Sequence, residues 1–465
     1  MSNSVSSFFT RIGDFSSDIV QRYLPDAFIF ALLLTFLTMV LAVVFTSKGV
    51  FDVARHWSQG FWFVLKFSMQ SSLALITGWI LADSPPVKRV LNKFAKLPSN
   101  QTQAIFLTAV VGQLLGLFHW GVVLIGSAIF ARNVGIEMEE KDVSVHYPLL
   151  VATGYAGLLP WHQGLSAAAP LLVATEGHFL SNLIGIIPVS ETIFHPANIL
   201  IALSVVVLSV IVMPLMSPDK KENIVSVSKS KLEEAKIRGR DETHSEHKKR
   251  EGRFKSLLLD SKILAISAGG LVWSYLLYLF LTNPFMQVFN LNIFISILFG
   301  SGLVLHGNLR NYIDVLRDAL EGASQIIIQF QFYGGIMGIM AWSGLGTLIA
   351  QTAADLATSN TWYFFAFLAS GIVNFFVPSG GGQWVVTGKV LSEATQAIAG
   401  ADMNLMIIAF GMGDQWTNMI QPFWAIPVIS IAGLSIRDIM GYCVILFAFS
   451  GALLAIGTLL MGVLL

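Results

Sequence analysis

NFFVPSGGGQWVV, residues 374–386, lies inside one of the most apolar parts of the chain. A proline, a serine and three successive glycines interrupt a run flanked by Phe375, Phe376, Val385 and Val386. Proline and glycine both oppose a continuous helix. At membrane depth, open backbone is tolerable only where it is buried in protein or lines a wet cavity. The stretch therefore reads as the tip of a hairpin that enters a membrane and returns. Its glycines leave amide groups uncovered for a ligand, and helix N-termini attract anions without any basic side chain.

The composition supports a membrane setting. Of 465 residues, 54% are hydrophobic and 12% charged, against about 25% charged in a soluble domain. Mean hydropathy is +0.69. Apolar runs of about 20 residues, enough for a hydrocarbon core of roughly 30 Å, recur from end to end. The expected class is an all-α polytopic membrane protein. A formal net charge of zero gives no case for nucleic acid, and a single cysteine, Cys443, excludes a disulfide within the chain. The first apolar run, from near Ala27, is too long for a cleaved signal. Before it, Phe8, Ile12, Phe15, Ile19 and Tyr23 share a face, which predicts a short helix over residues 1–26 lying on the membrane surface.

One change of composition organises the chain. Residues 219–255 hold twelve Lys/Arg against eight Asp/Glu and almost no apolar cluster. The segment, taken as 217–256, reads as a solvated linker, and its basic excess places it in the cytoplasm. Lys88, Arg89, Lys93 and Lys96 place a second loop there, and the N-terminus with it. Three apolar segments separate these loops, at 104–131, 147–175 and 197–216, yet the crossings must be even in number. The first is the better candidate for a re-entrant hairpin, because GLFHWG (116–121) stands at its middle.

The second half follows the same order, with spans at 289–306 and 323–348, a broken segment at 361–391, another at 404–432 and a last span at 442–465. Each half carries a short polar amphipathic piece between its first two spans, Phe51–Gln59 and Leu309–Leu320. An extra span within 257–288 starts the second half from the opposite face. The prediction is two inverted repeats, 27–216 and 289–465, each with a re-entrant hairpin and a broken transmembrane helix, and a C-terminus outside. This arrangement marks a secondary transporter with its site at the midplane.

Two interrupted segments match the hairpins: GYAGLLPWHQGLSAAAP (154–170) and GMGDQWTNMIQPFWAIP (411–427). Unwound helices expose carbonyls that can hold a cation. Asp414 is the carboxylate at the core of the second half, and intramembrane acids are expensive and usually functional. It reads as a cation-coupling residue, with Gln421 and Ser166, or as a structural partner of Lys389 or of a backbone amide. Substrate contacts are expected from Ser379, Gly380, Gly381, Gly382, Gln383 and Trp384 at one tip. From the other tip come His119, Trp120 and Gly121. The breaks add Trp161, His162, Gln163, Trp416, Thr417 and Asn418. The two histidines read equally as hydrogen-bonded core residues. Trp120, Trp384 and Trp416 could wall an apolar pocket or simply pack, and Lys66 could snorkel to the interface.

NFFVPSGGGQW, GDQWTNMIQPFW and LLPWHQGLS together resemble the short-chain fatty acid transporters of the AtoE type, within the ion transporter superfamily. The resemblance covers nearly the whole chain. It implies cation-coupled symport of short-chain monocarboxylates such as butyrate or acetoacetate across the bacterial cytoplasmic (inner) membrane. It also implies an elevator-type architecture on a homodimeric scaffold, no enzymatic activity, and no cofactor beyond Na⁺ or H⁺ as coupling ion. Superfamily members that bind dicarboxylates with Na⁺ carry Ser-Asn-Thr triplets at their tips, where this chain has Ser379-Gly380-Gly381 and His119-Trp120-Gly121. The alternatives are a dicarboxylate or amino-acid carrier on the same scaffold, a passive anion channel, and an intramembrane hydrolase using Ser379 and His119.

Overall fold

A computed structural model of the chain describes residues 27–218, 224–227 and 252–464, and these are helical, with no strand among them. The predicted surface helix over 1–26 and most of the charged linker lie outside the described residues.

The first half runs through α1 (Ala27–Phe45), α2 (Val50–Phe63), α3 (Leu65–Asp83), α4 (Pro85–Ala95), α5 (Gln101–Phe118) and α6 (Trp120–Glu140). It continues with α7 (Tyr147–Ala156), α8 (Ala168–Val173) and α9 (Pro196–Leu215). A connecting helix, α10 (Lys262–Thr282), leads to α11 (Leu291–His306), α12 (Leu309–Ser343), α13 (Leu345–Leu356), α14 (Ser359–Asn374) and α15 (Gly380–Ala397). The chain ends with α16 (Met403–Asn418), α17 (Pro422–Ala432) and α18 (Ile436–Leu464). By length and composition, α5, α6, α9, α10 and α18 are each able to cross a membrane. Two bent pairs qualify together: α2 with α3, bent by 43°, and Ile327–Ser343 with α13, bent by 75°.

The sequence patterns explain these elements. Asn100, Asn290, Asn308 and Asp402 each accept a backbone N–H at a helix start, which satisfies donors that would otherwise be orphaned. The turn from α12 into α13 falls on Gly344 at φ +90°, a conformation that costs glycine nothing. The polar piece Leu309–Leu320 is not a separate element. No proline separates it from the span that follows, and the two form one 35-residue helix, α12. Its counterpart in the first half, α2, does part from α3, at Val64.

Both interrupted apolar segments fold back on themselves. The expected hairpin at 104–131 is longer, comprising α5 and α6 with His119 alone between them. Its outer ends are tied together by Lys141 Nζ, which donates to the carbonyls of Lys96 at 2.6 Å and Pro98 at 2.8 Å. In the second half α14 and α15 form the hairpin, and Trp362 Nε1 donates to Thr395 Oγ1 at 3.0 Å across its open end.

The long α12 packs along α2 and α3, flanked by α1 and α11. Glycines let this seam close: a Cβ on Gly60 of α2 would stand 2.8 Å from the Gly338 Cα of α12. The hairpins pack instead on the interrupted segments, α5 and α6 on α7, and α14 and α15 on α16. A second bare seam lies there, where a Cβ on Gly157 would stand 2.7 Å from the Gly112 Cα.

Candidate functional site

The two hairpin tips and the two helix breaks converge on a cavity of about 500 Å³. Its walls include Ser379, Gly380 and Gly381 from one tip and His119, Trp120 and Gly121 from the other. The first break adds Trp161 and Ser166, the second adds Trp424, and α3, α11 and α12 close the far side.

The two tips differ electronically. Both begin a helix, and each N-terminus presents backbone donors. At the first tip the donors are spent: Trp120 N donates to Ser166 Oγ at 3.0 Å, and Gly121 N and Val122 N donate to His119 Nδ1 at 2.9 and 3.2 Å. His119 is thus the cap of α6, and its ring fills the space a Cβ on Gly78 of α3 would need. At the second tip Ser379 Oγ accepts from Gly382 N at 3.3 Å. The N–H groups of Gly380 and Gly381 have no hydrogen-bond partner among the described residues. The Ser379 hydroxyl and His119 Nδ1 are engaged with backbone, each at its own tip, and His119 Nε2 is buried without a hydrogen-bond partner.

The three glycines also have a packing reason. A Cβ on Gly380 would collide with His162 Nε2, one on Gly381 would stand 2.9 Å from Phe67 Cζ, and one on Gly382 2.6 Å from Tyr333 Cδ2. The α15 N-terminus therefore lies directly against rings from α3, α12 and the first break.

Three tryptophans form an apolar corner. Trp120 and Trp424 have ring centroids 5.6 Å apart, Trp120 and Trp161 6.1 Å, and Trp161 and Trp424 6.2 Å. Trp424 was not among the expected contacts. Trp384 and Trp416, which were, do not line the cavity. Trp384 is buried against Phe410 at 4.9 Å, while Trp416 stacks on Phe447 at 4.5 Å and donates Nε1 to its carbonyl at 2.8 Å.

Behind the second tip lies a buried polar network. Asp414 is fully buried, with Oδ1 3.2 Å from His162 Nε2 and 3.3 Å from Asn418 Nδ2. Lys389, the alternative partner read from the sequence, is paired with Glu393 instead. Asn374 Nδ2 donates to Asp414 O at 2.8 Å, Thr417 Oγ1 at 2.9 Å and Asn418 Oδ1 at 2.6 Å, and Asn374 O accepts from Gln421 Nε2 at 2.6 Å. Gln383 donates to the Ser370 carbonyl at 2.5 Å, and Gln163 accepts from Gln415 at 2.7 Å. His162, Gln163, Gln383, Thr417, Asn418, Gln421 and Asp414 thus lie in the wall behind the cavity rather than on its surface. Four buried acceptor oxygens remain without a hydrogen-bond partner: Asp414 Oδ2, Asn374 Oδ1, Gln383 Oε1 and Gln421 Oε1. An unsatisfied buried oxygen costs about 1–3 kcal/mol; three of the four belong to the linked residues Asp414, Asn374 and Gln421, and they make an oxygen-rich environment suited to a hard cation or a proton. Among the described residues no three His, Cys, Asp or Glu side chains group as a transition-metal site.

A sequence profile of the short chain fatty acid transporter family matches residues 8–461. A protein of Escherichia coli (strain K12), provisionally named a short-chain fatty acid transporter, is 38% identical over 452 residues, 96% of this chain and 98% of that one. A Haemophilus influenzae protein of the same provisional name is 35% identical over 456 residues, 96% of this chain and 99% of that one. Among solved structures, the Alcanivorax borkumensis YdaH transporter superposes with a TM-score of 0.57 over 95% of this chain and 99% of its own. At 15% identity that likeness concerns the fold alone.

Proposed function

The chain belongs to the short chain fatty acid transporter family, and from that premise we propose that this multi-pass membrane protein is a cation-coupled symporter of short-chain monocarboxylates such as butyrate or acetoacetate. The observation that carries the substrate class is the inequality of the tips. Among the described residues, one tip has two amides without a partner, and the other has none. One carboxylate is therefore held, at Gly380 and Gly381, and a second finds no equivalent end. The corner formed by Trp120, Trp161 and Trp424 suits a short alkyl tail.

Asp414 is the coupling residue on this reading. His162 connects it to the substrate end, since its Nε2 lies 3.2 Å from Asp414 Oδ1 and also crowds Gly380. A proton on the Asp414–His162 pair, or Na⁺ among the linked unpaired oxygens, would cancel the charge that the anion brings to a low-dielectric site. Ser166, expected as a coupling residue, acts instead on the first tip, where it accepts the Trp120 amide.

Transport by an elevator movement, with the hairpins and broken segments travelling along a dimeric scaffold of α1 to α3 and α10 to α12, follows from an inverted-repeat reading of the fold. The repeated order supports that reading: α1 with α11, α2 and α3 with α12, α4 with α13, and so on to α9 with α18. Uptake of labelled butyrate into proteoliposomes under imposed Na⁺ or H⁺ gradients tests the function. One of the gradients should drive accumulation, and an absence of butyrate uptake under either would refute it.

The proposed orientation has the N-terminus and linker in the cytoplasm of a bacterial inner membrane. An Arg240→Cys variant should react with an impermeant maleimide only after the cells are permeabilised, the native Cys443 being buried. Labelling in intact cells would invert the topology.

A further inference from the structure

Among the described residues, the cavity proposed to take an anion is lined by no lysine or arginine and by one acidic side chain. Among the described residues that line it, Glu321 of α12 is the only charged group, and it has no ion-pair partner among them. The other titratable wall residue, His119, has its Nδ1 occupied by backbone amides and its Nε2 fully buried. The elements packed on α12 bring no compensating cation to the wall. On α3, Asp83 is bound to Lys88, and Lys66 does not line the cavity. On α15, Lys389 is bound to Glu393, and on α11, His306 is 2.8 Å from the Ile80 carbonyl. On α12 itself, Arg310 is held by Asp260 and Arg317 by Asp314.

We propose that Glu321 is a specificity-determining residue that bars substrates carrying a second carboxylate. The inference rests on the transport reading above and adds what sets the upper limit on substrate charge. Phe330 of α12 marks the position of the anion end, because a Cβ on Gly381 would stand 3.3 Å from its ring. Glu321 precedes Phe330 by nine residues, which at 1.5 Å per residue is about 13 Å along the helix. A four-carbon dicarboxylate held at Gly380 and Gly381 would carry its second carboxyl carbon on the order of 4 Å further along, a reach like that between consecutive Cα atoms. Nine residues are also two and a half turns, so Glu321 stands on a different face of α12 from Phe330, and with that offset the two charges lie on the order of 12 Å apart. Repulsion at that range, in a medium like a protein surface, lowers occupancy about tenfold. A monocarboxylate turns an uncharged tail to the same place, and its own charge stays near the far end of the cavity.

The test is butyrate uptake by proteoliposomes with succinate as competitor, in the wild type, Glu321→Gln and Glu321→Lys, each normalised to inserted protein. Glu321→Gln should lower the inhibition constant for succinate about tenfold, Glu321→Lys should lower it further, and KM for butyrate in Glu321→Gln should stay within about twofold. Exclusion of succinate by Glu321→Lys as complete as by the wild type would overturn the proposal. Loss of gradient-driven butyrate accumulation in Glu321→Gln, with exchange retained, would overturn it too, because Glu321 would then be a coupling residue. Failure of the wild type to carry butyrate would refute the transport reading itself, and this inference with it.

Discussion

Gly381→Val is expected to abolish butyrate uptake while the amount of protein in the membrane stays unchanged. A Cβ at this position would stand 2.9 Å from Phe67 Cζ, 3.2 Å from Phe67 Cε1 and 3.3 Å from Phe330 Cε1. The atoms it meets are ring ends, which give way more readily than backbone. The valine methyls therefore lift the start of α15 off α3 and α12 without unfolding either helix. They also occupy the space through which a carboxylate approaches the free amides. The attraction of an anion to a helix end is worth only about 0.3–2 kcal/mol, so binding depends on close contact and is lost when contact is. Ser379→Ala should be milder. The Ser379 hydroxyl accepts from Gly382 N, and losing such a cap costs about 0.5–2 kcal/mol. Uptake by both variants, normalised to membrane content, decides the matter. Normal butyrate transport by Gly381→Val would mean that the anion binds elsewhere.

Asp414→Asn is expected to reduce the accumulation ratio for butyrate to about unity, because a neutral amide can neither carry a proton nor balance a cation. The substituted side chain keeps the size of the original and one acceptor oxygen for Asn418 Nδ2, so the Asn374–Asn418 network can persist around it. Exchange of internal for external butyrate should continue, since the free amides of the second tip are untouched. Counterflow and gradient-driven uptake, measured on the same vesicles, separate the two effects. Concentrative uptake at the wild-type level would remove Asp414 from the mechanism.

The breaks in the helices were legible in the sequence because glycine and proline act locally. The tip at 374–386 and the interruptions within 154–170 and 411–427 all carry them. The faces of the helices beyond those breaks were not legible. Trp416 and Trp424 are eight residues apart, and an unbroken helix would put them on similar faces. The interruption between α16 and α17 resets that phase, sending Trp424 to the cavity and Trp416 to Phe447. The choice of His162 over Lys389 as the partner of Asp414 comes from packing between the two halves, which no local pattern encodes. Asn374 stood at the head of the decisive stretch, yet its role depends on residues more than forty positions later. Glu321 was hidden for the opposite reason: it follows directly on the polar piece of α12 and reads as one more solvated charge.

The glycine triplet has one more consequence, for register. Helices hold their position on a neighbour because side-chain ridges seat in the neighbour's grooves, and a shift must unseat them. Where the first turn of α15 meets Phe67, Phe330 and Tyr333, it has no ridges, only backbone. The side-chain corrugation that would lock α15 to α3 and α12 is absent from α15 at the point proposed to hold the substrate. The proposed movement of the hairpin along the scaffold would meet fewer interlocking ridges there, and the three glycines assigned to the anion would also lower the barrier to that step.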